Sequence, residues 1–213
     1  MEEESLNRYL TRLNGGEASG LQALAEEARA EGIPIMQPEA LAVLLLCIRM
    51  KRPNTILEIG TAIGYSAIQM ALASGRGARV VTVERDPILA GRARDNVARF
   101  NLQDAVEVIE GDALEAVEAV RVHGPYDFIV IDAGKGHYKE FFTTYAAGLV
   151  RGGVVFCDNV LFRRHVLNPE AAPKRIRRLA AKMDAFNRWL ARQPGFDTMF
   201  LSVGDGVSIS IRK

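Results

Sequence analysis

From Thr55 onward, short β-branched runs alternate with stretches of helical period, and no other feature of the sequence restricts the possible folds as strongly. The runs are Thr55-Ile56-Leu57-Glu58-Ile59, Val80-Val81-Thr82-Val83-Glu84, Val106-Glu107-Val108-Ile109, Phe128-Ile129-Val130-Ile131 and Val154-Val155-Phe156-Cys157. Helical patterns lie between them at Ser66 to Ser74, Pro87 to Phe100, Ala113 to Val122 and Tyr138 to Leu149. Five strands with four intervening helices require right-handed crossovers and a parallel sheet. The end of the chain breaks the rhythm: a helical pattern from Lys174 to Arg192 precedes Thr198 to Val203, then Gly204-Asp205-Gly206, then Val207 to Ile211. Asp-Gly between two alternating runs signals a hairpin, so the last two strands should pair antiparallel.

The expected fold is therefore α/β: a Rossmann-like, doubly wound, seven-stranded, mostly parallel sheet with one antiparallel strand near the C-terminus, plus N-terminal helices. Ser5 to Glu31 reads as two short amphipathic helices interrupted by Asn14-Gly15-Gly16. Ile33-Pro34-Ile35-Met36 reads as extended, because proline biases its predecessor away from helix. Pro38 sits where a first-turn proline belongs, ahead of a largely buried helix from Ala40 to Met50. A length of 213 residues favours one domain, 1–213, with residues 1–51 as a helical cap and 52–213 as the α/β core.

Composition excludes several classes. The longest apolar run, Ala40 to Ile48, has nine residues, against the roughly 18 of a membrane span. The start, Met1-Glu2-Glu3-Glu4-Ser5, lacks the basic and apolar parts of an export signal, so a cytoplasmic location is expected. Cys47 and Cys157 make neither a disulfide framework nor a metal-ligand spacing. The net charge of +1 is a cancellation: Met1 to Glu31 carries seven acids and three bases, whereas Phe162 to Arg192 carries nine bases against Glu170 and Asp184. The bases are Arg163, Arg164, Lys174, Arg175, Arg177, Arg178, Lys182, Arg188 and Arg192. Ile176, Leu179, Ala180, Met183, Phe186 and Leu190 form an apolar stripe that leaves most of those charges on the opposite helix face. A phosphate backbone passing the site would account for them, and so would a solvated helix face.

In an open α/β sheet, ligands bind beyond the carboxyl ends of the strands. The first strand runs into Glu58-Ile59-Gly60-Thr61-Ala62-Ile63-Gly64-Tyr65-Ser66, whose two glycines permit a sharp turn and close backbone approach. This is not the Gly-x-Gly-x-x-Gly of dinucleotide sites. The second strand ends in Glu84, 24 residues past Gly60, where a carboxylate would accept hydrogen bonds from ribose hydroxyls. After the third comes Gly111-Asp112-Ala113, where Asp112 could cap a helix and face an adenine. Each alone could be a plain turn, strand end or cap. In this order they look like the S-adenosylmethionine (SAM) site of class I methyltransferases.

The fourth strand ends in Asp132-Ala133-Gly134-Lys135-Gly136-His137-Tyr138 and the fifth in Asp158-Asn159-Val160-Leu161-Phe162. Two carboxylates and an amide at neighbouring strand ends form a hard, all-oxygen ligand set that suits Mg²⁺, or less specifically Mn²⁺ or Ca²⁺. The competing reading is that both aspartates merely cap helices. Asp-Ala-x-Lys with Asp-Asn-x-Leu resembles the cation-dependent O-methyltransferases, the group that contains catechol and caffeoyl-coenzyme A O-methyltransferases, from about Met36 to Lys213. Within that group, Ile131 to Tyr138, Asp158 to Phe162 and Val203-Gly204-Asp205-Gly206-Val207 are most similar to bacterial enzymes that methylate 5-hydroxyuridine at the tRNA wobble position. Plant members usually carry an acid at the position of Gly134 and a tryptophan at that of Phe162, which argues against a phenylpropanoid substrate.

The resemblance implies metal ligation by Asp132, Asp158 and Asn159, Lys135 as general base, and a cofactor site formed by Met36, Glu58, Gly60, Ser66, Glu84, Asp112, Ala113 and Asp132. It also implies a homodimer, with tRNA through its anticodon loop as partner. The alternatives are a small catechol-like diol and, in another class, a non-catalytic SAM-binding module. Lys135 could instead be a surface lysine, and His137 is a weaker candidate. His123 and His165 lack a second ligand at useful spacing and read as surface residues. Tyr138 fits either pocket or core, and Cys157 reads as a buried strand residue.

Overall fold

The computed structural model describes Tyr9, Leu13 and residues 19–213, so the first of the two N-terminal helices expected lies outside the described residues. The elements run α1 (Ser19–Ala30), α2 (Pro38–Lys51), β1 (Thr55–Ile59), α3 (Tyr65–Ser74), β2 (Arg79–Glu84), α4 (Pro87–Arg99), β3 (Val106–Glu110), α5 (Val117–Arg121), β4 (Tyr126–Ile131), α6 (Tyr138–Tyr145), β5 (Leu149–Cys157), α7 (Lys174–Leu190), β6 (Phe196–Leu201) and β7 (Val207–Arg212). One seven-stranded sheet has the order β3-β2-β1-β4-β5-β7-β6. β1 to β5 are mutually parallel, and β7 runs antiparallel to both β5 and β6.

Alternation along β1 sends successive side chains to opposite faces. Ile56 joins Leu24, Leu44, Ile68 and Phe128 on one face, with α1 to α4, while Leu57 joins Ile129, Phe142, Met183 and Phe186 on the other, with α6 and α7. Ile56 and Leu57 are both fully buried, as expected for a central strand covered on two sides. The chain winds outward through β1, β2 and β3, then returns to β4 beside β1. Diverging crossovers leave a crevice at that switch point, over the ends of β1 and β4.

Three local expectations are corrected. The helix expected over Ala113 to Val122 is regular only from Val117 to Arg121, because the Ala113 carbonyl accepts the Tyr145 hydroxyl instead of extending the helical ladder. Leu149 belongs to β5, not to the preceding helix: it pairs with Tyr126, and an irregularity carries the register on to Phe128 opposite Val154. A Cβ at Gly153 would lie 2.6 Å from Leu149 Cγ, so glycine is required where the strand folds back on itself. Finally, β6 stops at Leu201 and not at Val203, and Ser202 to Gly206 form a longer loop. The Asp205-Gly206 backbone is engaged elsewhere: Gly206 O accepts from Val160 N at 2.9 Å and Asp205 O from Leu161 N at 3.0 Å.

Candidate active site

A cavity of about 420 Å³ opens at the carboxyl ends of β1 to β5. Its walls include Met36, Gly60, Ser66, Glu84, Asp112, Ala113, Asp132, Lys135, Asp158 and Asn159, nearly the whole set singled out from the sequence. Gly60 has φ +102°, and a Cβ there would sit 2.3 Å from the Asp132 carbonyl oxygen, so the absence of a side chain lets the ends of β1 and β4 close together. Gly64, at φ +85°, starts α3 directly behind that turn.

Glu58 is the exception. It does not line the cavity; β1 is central and covered on both faces, which places the carboxylate in the interior, fully buried. Its Oε1 accepts from Ser66 Oγ at 2.5 Å and its Oε2 from Thr82 Oγ1 at 2.6 Å. The Thr82 hydroxyl in turn lies 2.5 Å from that of Thr61, a cavity residue. Glu58 thus holds the floor from below. Burial pushes its pKa up to about 7 from an ordinary 4.5, against the two hydroxyl donors, with Glu84 adding a smaller upward push. Because the folded value is raised, stability is highest below pH 4.5 for this group and is lost as pH rises toward 7. Glu58→Gln keeps the shape without the charge. Urea denaturation should show the variant gaining about 3 kcal/mol relative to wild type between pH 4 and pH 8; a pH-independent difference would contradict the assignment.

Glu84 faces the cavity with each oxygen taking one backbone donor: Oε2 from Ala62 N at 2.8 Å and Oε1 from Asp86 N at 3.0 Å. Those bonds hold the carboxylate still while leaving lone pairs for a ligand. Asp112 Oδ1 accepts from Leu114 N at 2.8 Å, so the cap and the cavity wall are the same residue. Met36 is buried in the cavity wall, delivered by the Pro34-Ile35-Met36 segment that precedes α2. Tyr65, Leu89 and Phe141 also line the cavity; their apolar helical positions are indistinguishable in sequence from ordinary core.

Asp132 and Asp158 end adjacent strands, locked in register by Asp132 N donating to Ile59 O at 2.9 Å and Asp158 N to Ile131 O at 3.1 Å. Burial, then the Asp158 charge, holds the Asp132 carboxyl well above the usual carboxylate range, opposed by Lys135. Burial likewise pushes Asp158 up to about 6, opposed by the Asn159 N–H and by Lys135. Asp158 Oδ1 accepts from Asn159 N at 2.6 Å, but Oδ2 is buried with no hydrogen-bond partner. An orphaned anionic oxygen beside a second carboxylate is costly unless a cation answers it. Among the described residues no group of three or more His, Cys, Asp and Glu side chains is placed to hold a metal; the set here is two carboxylates and an amide, and its chemistry fits a hard divalent cation.

Asn159 takes a left-handed backbone, φ +56°, which asparagine tolerates better than most residues. The segment after it is clamped. Val160 O accepts from Asn187 Nδ2 at 2.7 Å, the Arg163 N–H donates to Asp205 Oδ1, and a Cβ at Gly206 would strike Leu161 Cγ at 2.3 Å. Tyr138 is core: it is 1% exposed, its hydroxyl donates to Asp158 O at 2.9 Å and its ring packs edge-on against Phe186. Burial pushes the Cys157 thiol up to about 12, consistent with a structural residue. His137 lines the cavity mouth. His123 is half-buried against Glu107 at 3.3 Å instead of being a plain surface residue.

α7 buries Ala180, Met183, Phe186 and Leu190 and exposes Lys174, Arg175, Arg177, Arg178, Lys182 and Arg188. Lys182 Nζ donates to Gly136 O at 3.2 Å, which joins this basic face to the Lys135–His137 turn at the cavity. Arg188 is occupied by Asp184 at 2.9 Å.

Residues 15–213 match the O-methyltransferase family. The catechol O-methyltransferase of Niastella koreensis is 32% identical over 220 residues, covering 99% of this chain and 97% of its own length. A solved structure of a candidate caffeoyl-CoA O-methyltransferase from Staphylococcus aureus superimposes with a TM-score of 0.92 at 38% identity, covering 98% of this chain and 100% of its own. The O-methyltransferase of Bacillus cereus, solved in complex with SAH, does so with a TM-score of 0.86 at 29% identity, covering 98% and 97%.

Proposed function

The chain belongs to the O-methyltransferase family and is a SAM-dependent enzyme, and from that premise we propose that it is a Mg²⁺-dependent cytoplasmic enzyme that methylates 5-hydroxyuridine in the tRNA anticodon loop to 5-methoxyuridine. One observation carries the metal-dependent part: the buried, unpartnered Asp158 Oδ2 beside Asp132 and Lys135, in a cavity that also presents Glu84 and Asp112. In this reading residues 1–213 act as one methyltransferase domain, with 1–51 as its cap.

SAM supplies an electrophilic methyl group. Glu84 would accept the ribose hydroxyls, Asp112 and Ala113 would border the adenine, and Ser66, held by Glu58, would meet the amino-acid end. Asp132, Asp158 and Asn159 would hold the divalent cation, which stabilises the deprotonated form of a neighbouring substrate hydroxyl. The uncharged amine of Lys135 would take the proton from that hydroxyl, and Met36, Tyr65 and Phe141, which line the same cavity, would exclude water from the methyl path. Positioning then does most of the work of a direct displacement. A cation held there would favour a substrate with two vicinal oxygens, such as O5 and O4 of 5-hydroxyuridine or the two hydroxyls of a catechol.

The tRNA reading is supported by the exposed basic face of α7 and its Lys182 contact with the Lys135 turn. The small-diol reading is favoured by the likeness to the Niastella koreensis enzyme. A homodimer belongs to the same proposal, supported by exposed Leu46 and Met50 on α2 and Leu72 on α3.

Incubation with SAM, Mg²⁺ and tRNA bearing 5-hydroxyuridine, followed by digestion and mass spectrometry, should yield 5-methoxyuridine. Turnover of free catechol with no tRNA product would reverse the order of the two readings. Charge reversal at Arg175 and Arg178 should weaken tRNA binding and reduce the slope of log affinity against log salt by roughly 1 to 2. An unchanged slope would make α7 a solvated face only.

A further inference from the structure

Beside the main cavity lies a second cleft of about 230 Å³, lined by Gln37, Leu161, Arg163, Arg164, Ser202, Gly204 and Asp205. We propose that this cleft is a subsite for a phosphate group of the substrate, an inference that rests on the methyl-transfer reading of the adjoining site. The two spaces are bounded by the same two pieces of chain. Met36 walls the cavity and Gln37 the cleft; Asn159 walls the cavity and Leu161, two residues on, the cleft. A substrate whose acceptor oxygen rests at Asp132, Asp158 and Asn159 would reach the cleft by extending along these two segments.

The donors in the cleft suit an anion. Arg163 is exposed beside Arg164, and a guanidinium fork such as that of Arg163 matches phosphate oxygens bidentately. Gln37 contributes an amide and Ser202 a hydroxyl. Asp205 is the one acid in the lining, and its Oδ1 already accepts the Arg163 N–H. The walls are held in place. Phe162, Arg163 and Arg164 take successive left-handed conformations at φ +46°, +52° and +62°, a run that L-residues adopt only when surrounding bonds impose it. Asp205 and Gly206 impose it through their bonds to Val160, Leu161 and Arg163. On the other side, a Cβ at Gly204 would lie 2.9 Å from Gln37 Oε1, so that loop rests against the start of α2. This also gives a use to the Val203 to Val207 motif, which no step of methyl transfer employs.

The phosphate could be a phosphodiester of an RNA strand or a phosphomonoester of a nucleotide, and the test separates them. Amide chemical shifts are followed while inorganic pyrophosphate is added without divalent cations. KM is then compared for 5-hydroxyuridine as nucleoside, as 3′-monophosphate and at the centre of a trinucleotide. Shifts should concentrate in residues 161–164 and 202–205, and the phosphorylated substrates should have KM values roughly tenfold below the nucleoside, the scale of one charged hydrogen-bonded contact. The double variant Arg163→Asn/Arg164→Asn, neutral and tolerant of left-handed backbone, should lose both the shifts and the KM advantage. An advantage of the trinucleotide alone points to RNA, and an equal advantage of the monophosphate points to a free phosphomonoester; either supports the subsite. Absence of shifts in the wild type, or shifts that persist in the double variant, overturns it. If no 5-hydroxyuridine substrate is methylated, the functional reading fails on its own, and the pyrophosphate titration still decides the cleft.

Discussion

Asp158→Ala is expected to lower methyl transfer by about a thousandfold or more while leaving SAM affinity within a few-fold of wild type. A thousandfold loss corresponds to about 4 kcal/mol of transition-state stabilisation, in keeping with the several kcal/mol supplied by a metal acting as Lewis acid. SAM binding should survive because Glu84 and Asp112 lie on other strand ends and their bonds do not involve Asp158. The fold should survive as well, since Tyr138 donates to the Asp158 backbone carbonyl, which alanine retains. The same substitution has a second signature. Burial raises the Asp158 carboxyl from 3.8 to about 6, so without a cation its ionisation costs stability above pH 6, on the order of 3 kcal/mol, and costs nothing below pH 3.8. The metal-free variant should therefore have the higher melting temperature at pH 8 and lose the advantage at pH 4, and Mg²⁺ should raise the melting temperature of wild type only. Calorimetry with SAM, melting curves with and without Mg²⁺, and initial rates settle it. Full activity of wild type in EDTA would remove the metal from the mechanism.

Lys135→Ala should reduce kcat by roughly a hundred- to a thousandfold, within the usual contribution of a general base, with KM for SAM little changed. Raising the pH should recover part of the loss, because the substrate hydroxyl then ionises without help, so the ratio of wild-type to variant kcat should fall as pH rises. The Lys135 charge also opposes the upward push on both Asp132 and Asp158. Its removal should make protons compete better at that pair, and Mg²⁺ binding in the variant should fail at a higher pH than in wild type. A merely surface lysine would produce neither the kcat loss nor the altered competition. A pH-independent kcat ratio would reassign Lys135 from proton acceptor to electrostatic support.

Much of the fold was legible because it is written in short-range periods. Thr55–Ile59 was recognised with its observed bounds and the Lys174 helix start was found, since alternation and 3.6-residue spacing are properties of neighbouring residues. Boundaries failed where a distant group intervened: Tyr145 drawing the Ala113 carbonyl out of a helix, or Gly153 letting β5 begin at Leu149. The Asp205-Gly206 pair showed the same limit. It looked like a tight hairpin, yet its backbone serves the loop that follows Asn159.

The carboxylates mark the division most sharply. The sequence by itself determined the fold class, the succession of strands and helices along the chain and the chemical character of the strand ends, because each is a local pattern of residue types. It put an acid at or near the ends of β1 to β5 and made a ligand contact of Glu58, Glu84, Asp112, Asp132 and Asp158 alike. Only the tertiary structure decided that Glu58 is interior while Glu84, Asp132 and Asp158 reach the cavity, that one oxygen of Asp158 is left without a partner, and that Gln37, Arg163 and Ser202 line one cleft. Those outcomes depend on which strands flank a given strand and what packs above its end, and residues far apart in the chain supply both.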